Sequence, residues 1–517
     1  MKKHQPKKYQ PKKIKYIPLR FLIAMHLIVL EILAIIGIVI ACCYYLPYFY
    51  LLALVTQISC IIKIVAGDEN PDYKVPWLLV VLLIPIAGFM LYFMFSQRKL
   101  SKRYRKRLTE AYGNDYSLDD SESFNTLKSI DLTSYNQFRM LKNVSGAKLF
   151  KSANERYYGD IEVLRKDLLD DLRKAEKFIF LEFFIIEEGV FWGSILEILS
   201  EKAKSGVDVR VLYDDIGCMQ TLPASYDNHL SKLSISALQF SRLRGNADGE
   251  FNNRNHRKIL IIDGKIGYTG GFNLADEYIN KIERFGHWKD CGLRLEGKCV
   301  YELTKLFTVD YSLNSKTLPT FPKDCYPEVS EGEGSGFIMP FGDGPKPVFP
   351  RQVGKAIIQN MLASAKRYAY ITTPYLIIDN DLLTDIENAA LRGVDVKIIL
   401  PHIPDKKLIF TISKSYYHRL MSAGVEIYEY TPGFIHAKTY IVDDEYAMVG
   451  TINLDYRSLV HHFENGVLTY KTDCIKYIKK DVLYTLEKSQ KIDKNNIKNN
   501  LLQRFISSIV RIFAPLL

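Results

Sequence analysis

Residues 433–453 read GFIHAKTYIVDDEYAMVGTIN and place a histidine, His436, two positions before a lysine, Lys438. The run that follows, residues 439–442, is β-branched and aromatic, which is typical of a strand. Because alternate side chains of a strand lie on one face, we expect the imidazole and the ammonium to lie side by side. A cation beside a potential nucleophile or proton carrier suits chemistry on a phosphate ester.

A second copy of this stretch occurs at residues 255–273, which read NHRKILIIDGKIGYTGGFN. From each histidine a lysine follows at +2, an aspartate at +7, a glycine at +14 and an asparagine at +17. A single His-x-Lys pair on a strand is usually structural, but two copies in one register indicate a duplicated catalytic motif. The copies are His256, Lys258, Asp263, Gly270 and Asn273, and then His436, Lys438, Asp443, Gly450 and Asn453.

The segments around the two copies alternate between helix and strand patterns in the same order. An amphipathic helix pattern precedes the apolar run FIFLEFFII at residues 178–186, and the phrase GVDV opens a strand at both Gly206 and Gly393. The alternation predicts α/β/α sandwiches, and the duplication predicts two such repeats packed with pseudo-twofold symmetry.

Three apolar segments precede the repeats, at residues 21–43, 45–65 and 77–95, and each is long enough to cross a bilayer. Eight Lys/Arg and no acidic residue occupy residues 1–20, and seven Lys/Arg occupy residues 98–107. The positive-inside rule therefore predicts that both flanks are cytoplasmic and that the acidic loop at 68–72 is outside. Three full membrane spans would place the two basic flanks on opposite sides of the membrane. Either one of the first two segments is therefore re-entrant, or the positive-inside rule fails here. We expect a cytoplasmic catalytic domain.

The location of the charge also bears on the partner. The net charge is +11, but the basic excess flanks the apolar segments and the remainder is near neutral. This distribution fits an anionic membrane surface better than nucleic acid. The eight cysteines form no C-x-x-C pair and no His/Cys cluster, so we expect no zinc site.

The expected organisation follows from these patterns. The C-terminal helix carries an apolar stripe, which suits either a membrane surface or packing against the domain. The parts are a basic N-terminal segment (1–20), transmembrane segments (21–96), a basic and polar linker (97–145), a first repeat (146–315), an inter-repeat linker (316–350), a second repeat (351–495) and an amphipathic C-terminal helix (496–517).

The duplicated His-x-Lys-x4-Asp pattern with its trailing Gly-[Gly/Thr]-x-Asn resembles the phospholipase D superfamily. The chain is more narrowly similar to bacterial cardiolipin synthases, through NPDYKVPW before the last apolar segment, HWKD at 287–290, GFIHAKTYIVDD, NLDYRS and HFEN at 462–465. The resemblance implies a multi-pass enzyme of the bacterial plasma membrane that converts two phosphatidylglycerol molecules into cardiolipin and glycerol through a phosphohistidine. It implies no cofactor, no metal and no nucleic acid, and leaves the oligomeric state open.

The resemblance also implies roles for individual residues. His256 is expected to be the nucleophile and His436 the acid/base, although the near-equivalent motifs alone do not separate the two roles. A carboxylate should orient each histidine. Glu464 matches that position at +28 from His436, and Asp290 takes the corresponding place in the first copy after a six-residue shift. The expected catalytic residues are His256, Lys258, Asp263, His436, Lys438 and Asp443, and the expected phosphate ligands are Asn273 and Asn453.

Some of these residues have a structural alternative. Asp263 and Asp443 lie at strand ends, where they are expected to hold a turn rather than touch substrate. The two asparagines could likewise form turns. Other functions also stay open: a hydrolase of phospholipids with the same fold, a nuclease or other phosphodiesterase, and a membrane scaffold with an inactive site. The near-neutral catalytic part argues against a nuclease, and two intact motifs argue against a scaffold.

Overall fold

The computed structural model describes residues 19–45, 47–95, 118–242, 253–315, 334–346, 349–494 and 509–516, with residues 106, 107, 110, 320–322, 324–327 and 332 between them. Several predicted features lie outside the described residues: the basic N-terminal segment up to residue 18, most of the basic stretch at 98–107, part of the inter-repeat linker, and residues 495–508 of the predicted C-terminal helix.

The strands and helices are numbered in chain order. The strands up to residue 296 are β1 (Phe150–Lys151), β2 (Arg156–Tyr158), β3 (Phe178–Phe183), β4 (Asp208–Asp214), β5 (Ser236–Phe240), β6 (Lys258–Ile262), β7 (Ile266–Gly270), β8 (His287–Lys289) and β9 (Gly292–Glu296). The later strands are β10 (Phe337–Asp343), β11 (Tyr368–Thr372), β12 (Leu376–Ile377), β13 (Asp395–Pro401), β14 (Glu426–Tyr430), β15 (Gly433–Ile435), β16 (Thr439–Val442), β17 (Tyr446–Gly450), β18 (Leu454–Asp455), β19 (Glu464–Tyr470) and β20 (Ser489–Lys491).

The helices divide between the N-terminal part and the repeats. Those before the repeats are α1 (Leu19–Tyr45), α2 (Pro47–Ala66), α3 (Pro71–Leu83), α4 (Pro85–Phe95), α5 (Ser121–Ile130) and α6 (Leu132–Ser145). Those of the repeats are α7 (Ile161–Arg173), α8 (Val190–Lys204), α9 (Tyr226–Ser231), α10 (Val300–Asn314), α11 (Val353–Ser364), α12 (Asn380–Leu391), α13 (Lys407–Ser422) and α14 (Cys474–Glu487).

Two mixed sheets form the repeats and confirm the α/β fold. The first has the order β2-β9-β7-β6-β3-β4-β5, and the second has the order β1-β10-β19-β17-β16-β11-β13-β14-β20. In each sheet the motif strand, β6 or β16, lies antiparallel to the strand that follows helix α7 or α11, which is β3 or β11. The corresponding order places the two motifs at equivalent positions.

One apolar core lies between the two sheets. It joins Phe180 and Ile259 of the first sheet to Ile441 and Val467 of the second. Strand β3 is buried along its whole length because this core covers one face and a second core, shared with α7 and α8, covers the other. Burial on both faces accounts for its continuous apolar sequence.

Two segments predicted as linkers belong to the second repeat. Strand β10 lies within the predicted 316–350 linker and pairs with β19 along its length, placing Asp343 opposite Glu464. Helices α5 and α6 lie within the predicted 97–145 linker, and Phe124 and Phe138 from them enter the core of the second repeat.

The N-terminal apolar segments are helical, but their membrane role stays a prediction. Within the described residues, no helix combines the length and the hydropathy needed to cross a membrane. Large apolar side chains are nonetheless exposed along α1 and α2, including Leu30 (59% exposed), Leu51 (63%) and Ile62 (62%).

The third apolar segment is a hairpin, so the prediction of one continuous span at 77–95 is wrong. Ile84 leaves the helical region at φ −133° and ψ 77°, and the following proline cannot continue the hydrogen-bond ladder. Helix α4 then returns along α3, so that the rings of Trp77 and Tyr92 lie 5.5 Å apart. Gly88 permits this approach, because a Cβ there would lie 2.5 Å from the carbonyl oxygen of Val80. The hairpin brings the end of α4 back toward the start of α3.

The loop between α2 and α3 contacts the second repeat. Asn70 donates a 2.9 Å hydrogen bond to Asp379, and Asp72 accepts a 2.6 Å bond from the backbone N–H of Asn380. Tyr73 also lies against His461, with ring centroids 6.0 Å apart. The expectation that the loop at 68–72 and the catalytic domain lie on opposite sides of a membrane is therefore wrong, because the two are in direct contact.

The described end of the predicted C-terminal helix packs on the protein. The Arg511 guanidinium lies 4.4 Å from the ring of Tyr416, and Ala514 is buried in the core of the second repeat. Of the two alternatives for this segment, residues 509–516 follow the one in which it packs against the domain.

Candidate active site

The segments that carry the two histidines cross between the repeats. The backbone N–H of His256 donates to the carbonyl of Phe463 at 2.9 Å, and the N–H of Phe463 donates to the carbonyl of Arg254 at 2.9 Å. In the other half, β15 pairs in parallel with β8, and the N–H of His436 donates to the carbonyl of Lys289 at 2.7 Å. Each histidine is thus fixed by a backbone segment of the opposite repeat.

This crossing decides which carboxylate meets which histidine. Nδ1 of His256 lies 2.9 Å and 3.0 Å from the two carboxylate oxygens of Glu464, and Nδ1 of His436 lies 2.7 Å from Asp290. The expectation that each carboxylate orients the histidine of its own repeat is wrong. The physical reason is the parallel pairing just described, which brings each carboxylate-bearing segment beside the histidine of the other repeat.

The carboxylates also fix the tautomers. A carboxylate that accepts the Nδ1–H leaves Nε2 as the nitrogen with the free lone pair. Among the described residues, Nε2 of neither His256 nor His436 has a hydrogen-bond partner. The arrangement can therefore present two reactive imidazole nitrogens, one from each repeat.

The two carboxylates are held differently. Glu464 accepts hydrogen bonds from the hydroxyls of Thr451 and Ser458, the latter at 2.7 Å. Asp290 accepts the backbone N–H of Cys291 at 2.8 Å. Gly271 stands where the second repeat has Thr451, and a Cβ there would lie 2.1 Å from Asp290 Oδ1. Glycine at this position therefore leaves room for Asp290.

Both motif lysines are buried beside the histidines. Lys258 donates from Nζ to the carbonyl of His256 at 2.7 Å, and Lys438 donates to the carbonyl of His436. Burial disfavours the charged ammonium and lowers the pKa of Lys258 to about 7 and that of Lys438 to about 8. An anion placed between the lysines would restore their charge.

The histidines are neutral before an anion arrives. Burial, then the charges of Lys258 and Lys438, hold the pKa of His256 well below its usual value. Burial and Lys438 lower the pKa of His436 to about 4, although the Asp290 carboxylate partly offsets them. Both histidines are therefore hard to protonate in the free enzyme, and a bound phosphodiester would raise both pKa values.

The motif aspartates are remote from the reactive nitrogens. Asp263 follows the far end of β6 and accepts three backbone hydrogen bonds, from Glu176, Lys177 and Phe178. Asp443 repeats this arrangement, accepting from the backbone of residues 366–368. Both adopt positive φ, 53° and 57°, as turn residues do. A catalytic role for the two aspartates stays a prediction, and the geometry favours the alternative that they are structural: each sits in a turn and its carboxylate binds the backbone before the neighbouring strand.

The two asparagines are not equivalent. Asn273 uses both ends of its amide within the protein, because Oδ1 accepts from the N–H of Ile185 at 3.1 Å and Nδ2 donates to the Tyr278 hydroxyl at 2.7 Å. Asn453 is buried, its Oδ1 has no partner, and its Nδ2 makes no hydrogen bond within the described chain. A phosphate-binding role stays a prediction for both residues. At Asn273, however, the amide oxygen and nitrogen are already hydrogen-bonded within the protein.

Two buried ion pairs anchor the segment before Lys258. Arg254 binds Asp214 through bonds of 2.9 to 3.1 Å, and Arg257 binds Asp310, with all four side chains buried. Each buried ion pair holds its arginine in place, because moving one partner away would leave the other charge buried and unpaired. Arg254 thus positions the first motif rather than facing a ligand.

Sequence reasoning missed Thr451, Ser458 and His462. Thr451 and Ser458 lie in the GTIN and NLDYRS phrases. The hydroxyl group of each side chain was the signal that could have identified it as a hydrogen-bond partner in the site. His462 opens the HFEN phrase, and its ring centroid lies 5.5 Å from that of His256. Ligand atoms of His256, His462 and Glu464 lie within 4.8 Å of one another, so these three side chains could hold a metal ion. The Glu464 oxygens, however, already accept from His256, Thr451 and Ser458.

Comparison with known proteins places this geometry in a family. A family model described as "Cardiolipin synthase, PLD-like domain" matches residues 168–283 and 358–484. A second, described as "Phospholipase_D-nuclease N-terminal", matches residues 51–97. The first model covers both motifs, and the second covers most of α2 and all of α3 and α4.

Individual proteins agree with the family models. A Streptococcus mutans serotype c protein described as uncharacterized is 42% identical over 466 residues, 89% of this chain and 100% of that protein. A protein of Alkalihalophilus pseudofirmus named cardiolipin synthase is 34% identical over 457 residues, 87% of this chain and 90% of that protein. A crystal structure of phosphatidylserine synthase from Haemophilus influenzae Rd KW20 is similar with a TM-score of 0.57 and 15% identity, covering 74% of this chain and 97% of that one, and shows the fold alone.

Proposed function

Because the chain belongs to the family of cardiolipin synthases with phospholipase D-like domains, we propose that it joins two phosphatidylglycerol molecules into cardiolipin and glycerol. The observation that carries the proposal is the crossed pairing of His256 with Glu464 and of His436 with Asp290. It supplies two oriented imidazoles in one buried, cationic site, and a double displacement at phosphorus needs two such groups.

The first half-reaction transfers the phosphatidyl group to the protein. Nε2 of His256 attacks phosphorus, a P–N bond forms, and the P–O bond to the leaving glycerol breaks. His436, protonated once the anionic substrate is bound, gives its Nε2 proton to the glycerol oxygen. The assignment of His256 as nucleophile and His436 as acid follows the family resemblance. Each imidazole is hydrogen-bonded to a carboxylate, His256 to Glu464 and His436 to Asp290, and that carboxylate can stabilise its protonated form.

The second half-reaction reverses these roles. The terminal hydroxyl of a second phosphatidylglycerol gives its proton to Nε2 of His436, and its oxygen attacks phosphorus. The P–N bond breaks, which frees His256 and yields cardiolipin. One phosphodiester replaces another, so the transfer needs no nucleotide as an energy source.

The lysines stabilise the charge on phosphorus. A phosphodiester repels nucleophiles because its non-bridging oxygens are anionic. The ammonium groups of Lys258 and Lys438 lie beside the two histidines and can neutralise those oxygens in a buried, weakly screened site. The amide of Asn453 can add a hydrogen bond to the same oxygens.

The proposal includes attachment to the plasma membrane, with the catalytic repeats in the cytoplasm. Support comes from the exposed apolar side chains of α1 and α2 and from the basic stretches on both flanks of the apolar segments. In this arrangement the α3–α4 hairpin enters the bilayer from the cytoplasmic face and returns, which keeps both basic flanks on that face.

Product analysis tests the reaction. The full-length protein, purified in detergent and supplied with phosphatidylglycerol alone, should release cardiolipin and glycerol in equal amounts, as measured by mass spectrometry. Phosphatidic acid as the only lipid product would show a hydrolase instead. Unchanged turnover in His256→Ala or His436→Ala would refute the two-histidine mechanism.

A further inference from the structure

A cavity of about 1160 Å³ lies between the N-terminal helices and the second repeat. One wall comes from α2, the loop after it and α4. The other comes from the segment that follows β10, from the start of α11, and from residues 459–462. The volume is comparable to the upper end of small-molecule sites, which span roughly 300–1,000 Å³. The mechanism above makes no use of this space.

The cavity reaches the catalytic histidines through His462. This side chain lines the cavity, and its ring centroid lies 5.5 Å from that of His256. Its Nδ1 also lies 3.5 Å from Glu464. Both ring nitrogens are buried, and neither has a hydrogen-bond partner in the described chain. A ligand in the cavity would therefore lie one side chain away from the proposed nucleophile.

The walls of the cavity differ in chemistry. Ile64, Tyr92 and Phe93 supply an apolar surface from the helices proposed to enter the membrane. Lys346 and Arg351 lie on the segment after β10, are exposed, and form no ion pair with any described residue.

The other charged groups of the cavity are bound within the protein or lie on the opposite wall. Asp343, at the end of β10, accepts the backbone N–H groups of Gly344 and Gly354 at 2.8 Å, and Lys63 of α2 lies over the Phe93 ring, 4.2 Å from its centroid. Lys355 is bound to Asp379 at 2.5 Å and to Asp381 at 3.0 Å, so it is not available to a ligand. Asp68 and Glu69 come from the loop between α2 and α3, across from the two cations.

We propose that this cavity binds a phospholipid substrate with a polyol head group, and the proposal rests on the function proposed above. The acyl chains lie against Tyr92 and Phe93, and the phosphate lies against Lys346 and Arg351. Carboxylates accept hydrogen bonds from hydroxyl groups, so the loop that carries Asp68 and Glu69 suits the head-group glycerol. The lipid passes sideways from the bilayer into the cavity and reaches the histidines past His462.

Direct labelling tests the site without relying on turnover. The full-length protein in vesicles would be exposed to phosphatidylglycerol carrying a photoactivatable diazirine in one acyl chain, and labelled peptides would be mapped by mass spectrometry. Label should appear on peptides that contain Tyr92, Phe93 or Phe349, which all line the cavity, and excess unlabelled phosphatidylglycerol should remove it. Labelling confined to α1 and the exposed face of α2, or removal by phosphatidylcholine at the same concentration, would overturn the proposal.

Charge reversal tests the role of the two cations. The double variant Lys346→Glu/Arg351→Glu should lose the cavity label and raise KM for phosphatidylglycerol at least tenfold. It should leave turnover of a water-soluble bis-p-nitrophenyl phosphate unchanged, because that substrate needs the histidines and not the cavity. The matched control is Lys166→Glu/Lys232→Glu, two exposed lysines of the first repeat that form no ion pair with described residues. An unchanged KM, or an equal loss on both substrates, would contradict the proposal.

The two proposals can fail separately. Cavity labelling of a protein that releases only phosphatidic acid would keep the lipid site and reject the synthase reaction. Cardiolipin formation by a protein whose label lies elsewhere, with an unchanged KM in the double variant, would keep the reaction and reject the site.

Discussion

Glu464 of the second repeat binds His256 of the first repeat at 2.9 Å, although 208 residues separate them in the chain. Asp290 and His436 form the converse pair at 2.7 Å. Neither repeat can therefore orient its own histidine, and separating the repeats would disorient both. This mutual dependence explains why the motif occurs twice: each copy completes the site of the other.

Gly271 should be essential for the geometry of Asp290. In Gly271→Ala the new methyl group would meet the Asp290 carboxylate at 2.1 Å and push it away from His436. We expect kcat to fall by about 100-fold, since a displacement of about 1 Å in a catalytic group can have that effect. Gly37→Ala is the control, because nothing lies within 4 Å of a Cβ at that position. Wild-type kcat in a folded Gly271→Ala protein would show that Asp290 does not orient His436.

The pH dependence of kcat/KM should reflect the buried lysines. Their pKa values in the free enzyme are about 7 and about 8, and only the protonated forms neutralise phosphate. We therefore expect kcat/KM to decline as pH rises through 7 to 8, well below the usual lysine range near 10.4. Lys438→Arg keeps its charge throughout this range, so its profile should lose the limb near pH 8. A wild-type profile that stays flat to pH 10 would contradict the assignment.

The same burial should make Lys258 a source of instability. Its pKa falls from 10.5 in the unfolded chain to about 7 in the fold, so the unfolded state binds more protons between these values. The destabilisation is complete below pH 7 and fades as pH rises from 7 to 10.5. Lys258→Met should therefore be inactive yet more stable, by about 1 kcal/mol or more at pH 6, with a smaller gain at pH 9. Denaturant unfolding at both pH values checks this, and a less stable variant at pH 6 would contradict it.

Chelation should leave activity intact. His256, His462 and Glu464 come close enough to ligate a metal, but the proposed chemistry uses His256 as a nucleophile and Glu464 as its hydrogen-bond partner. Turnover of phosphatidylglycerol after dialysis against EDTA should equal that before. Loss of activity that is restored by one added divalent cation would assign these three residues to a metal instead.

Sequence patterns were sufficient for the features encoded locally. The motif register and the strand after each histidine depend on neighbours within about ten residues. The exchange of Glu464 and Asp290 depends on two strands that pair between repeats, and counting along one repeat cannot reveal it. The α3–α4 hairpin was predictable from the sequence only in part. Pro85 and Gly88 interrupt the third apolar run and were visible signals for a break, but the return of the chain is seen from contacts such as that of Tyr92 with Trp77.

Locating the covalent intermediate tests the crossed pairing most directly. A phosphatidyl ester of p-nitrophenol has a leaving group that needs no proton, so it bypasses the acid and requires only an oriented nucleophile. With this substrate, Asp290→Asn and His436→Ala should still release one equivalent of p-nitrophenol in a burst and carry the phosphatidyl group on His256, as mapped by mass spectrometry. Glu464→Gln and His256→Ala should show no burst. A phosphatidyl group found on His436, or a burst abolished by Asp290→Asn and retained in Glu464→Gln, would contradict the assignment of His256 and Glu464 as the nucleophilic pair.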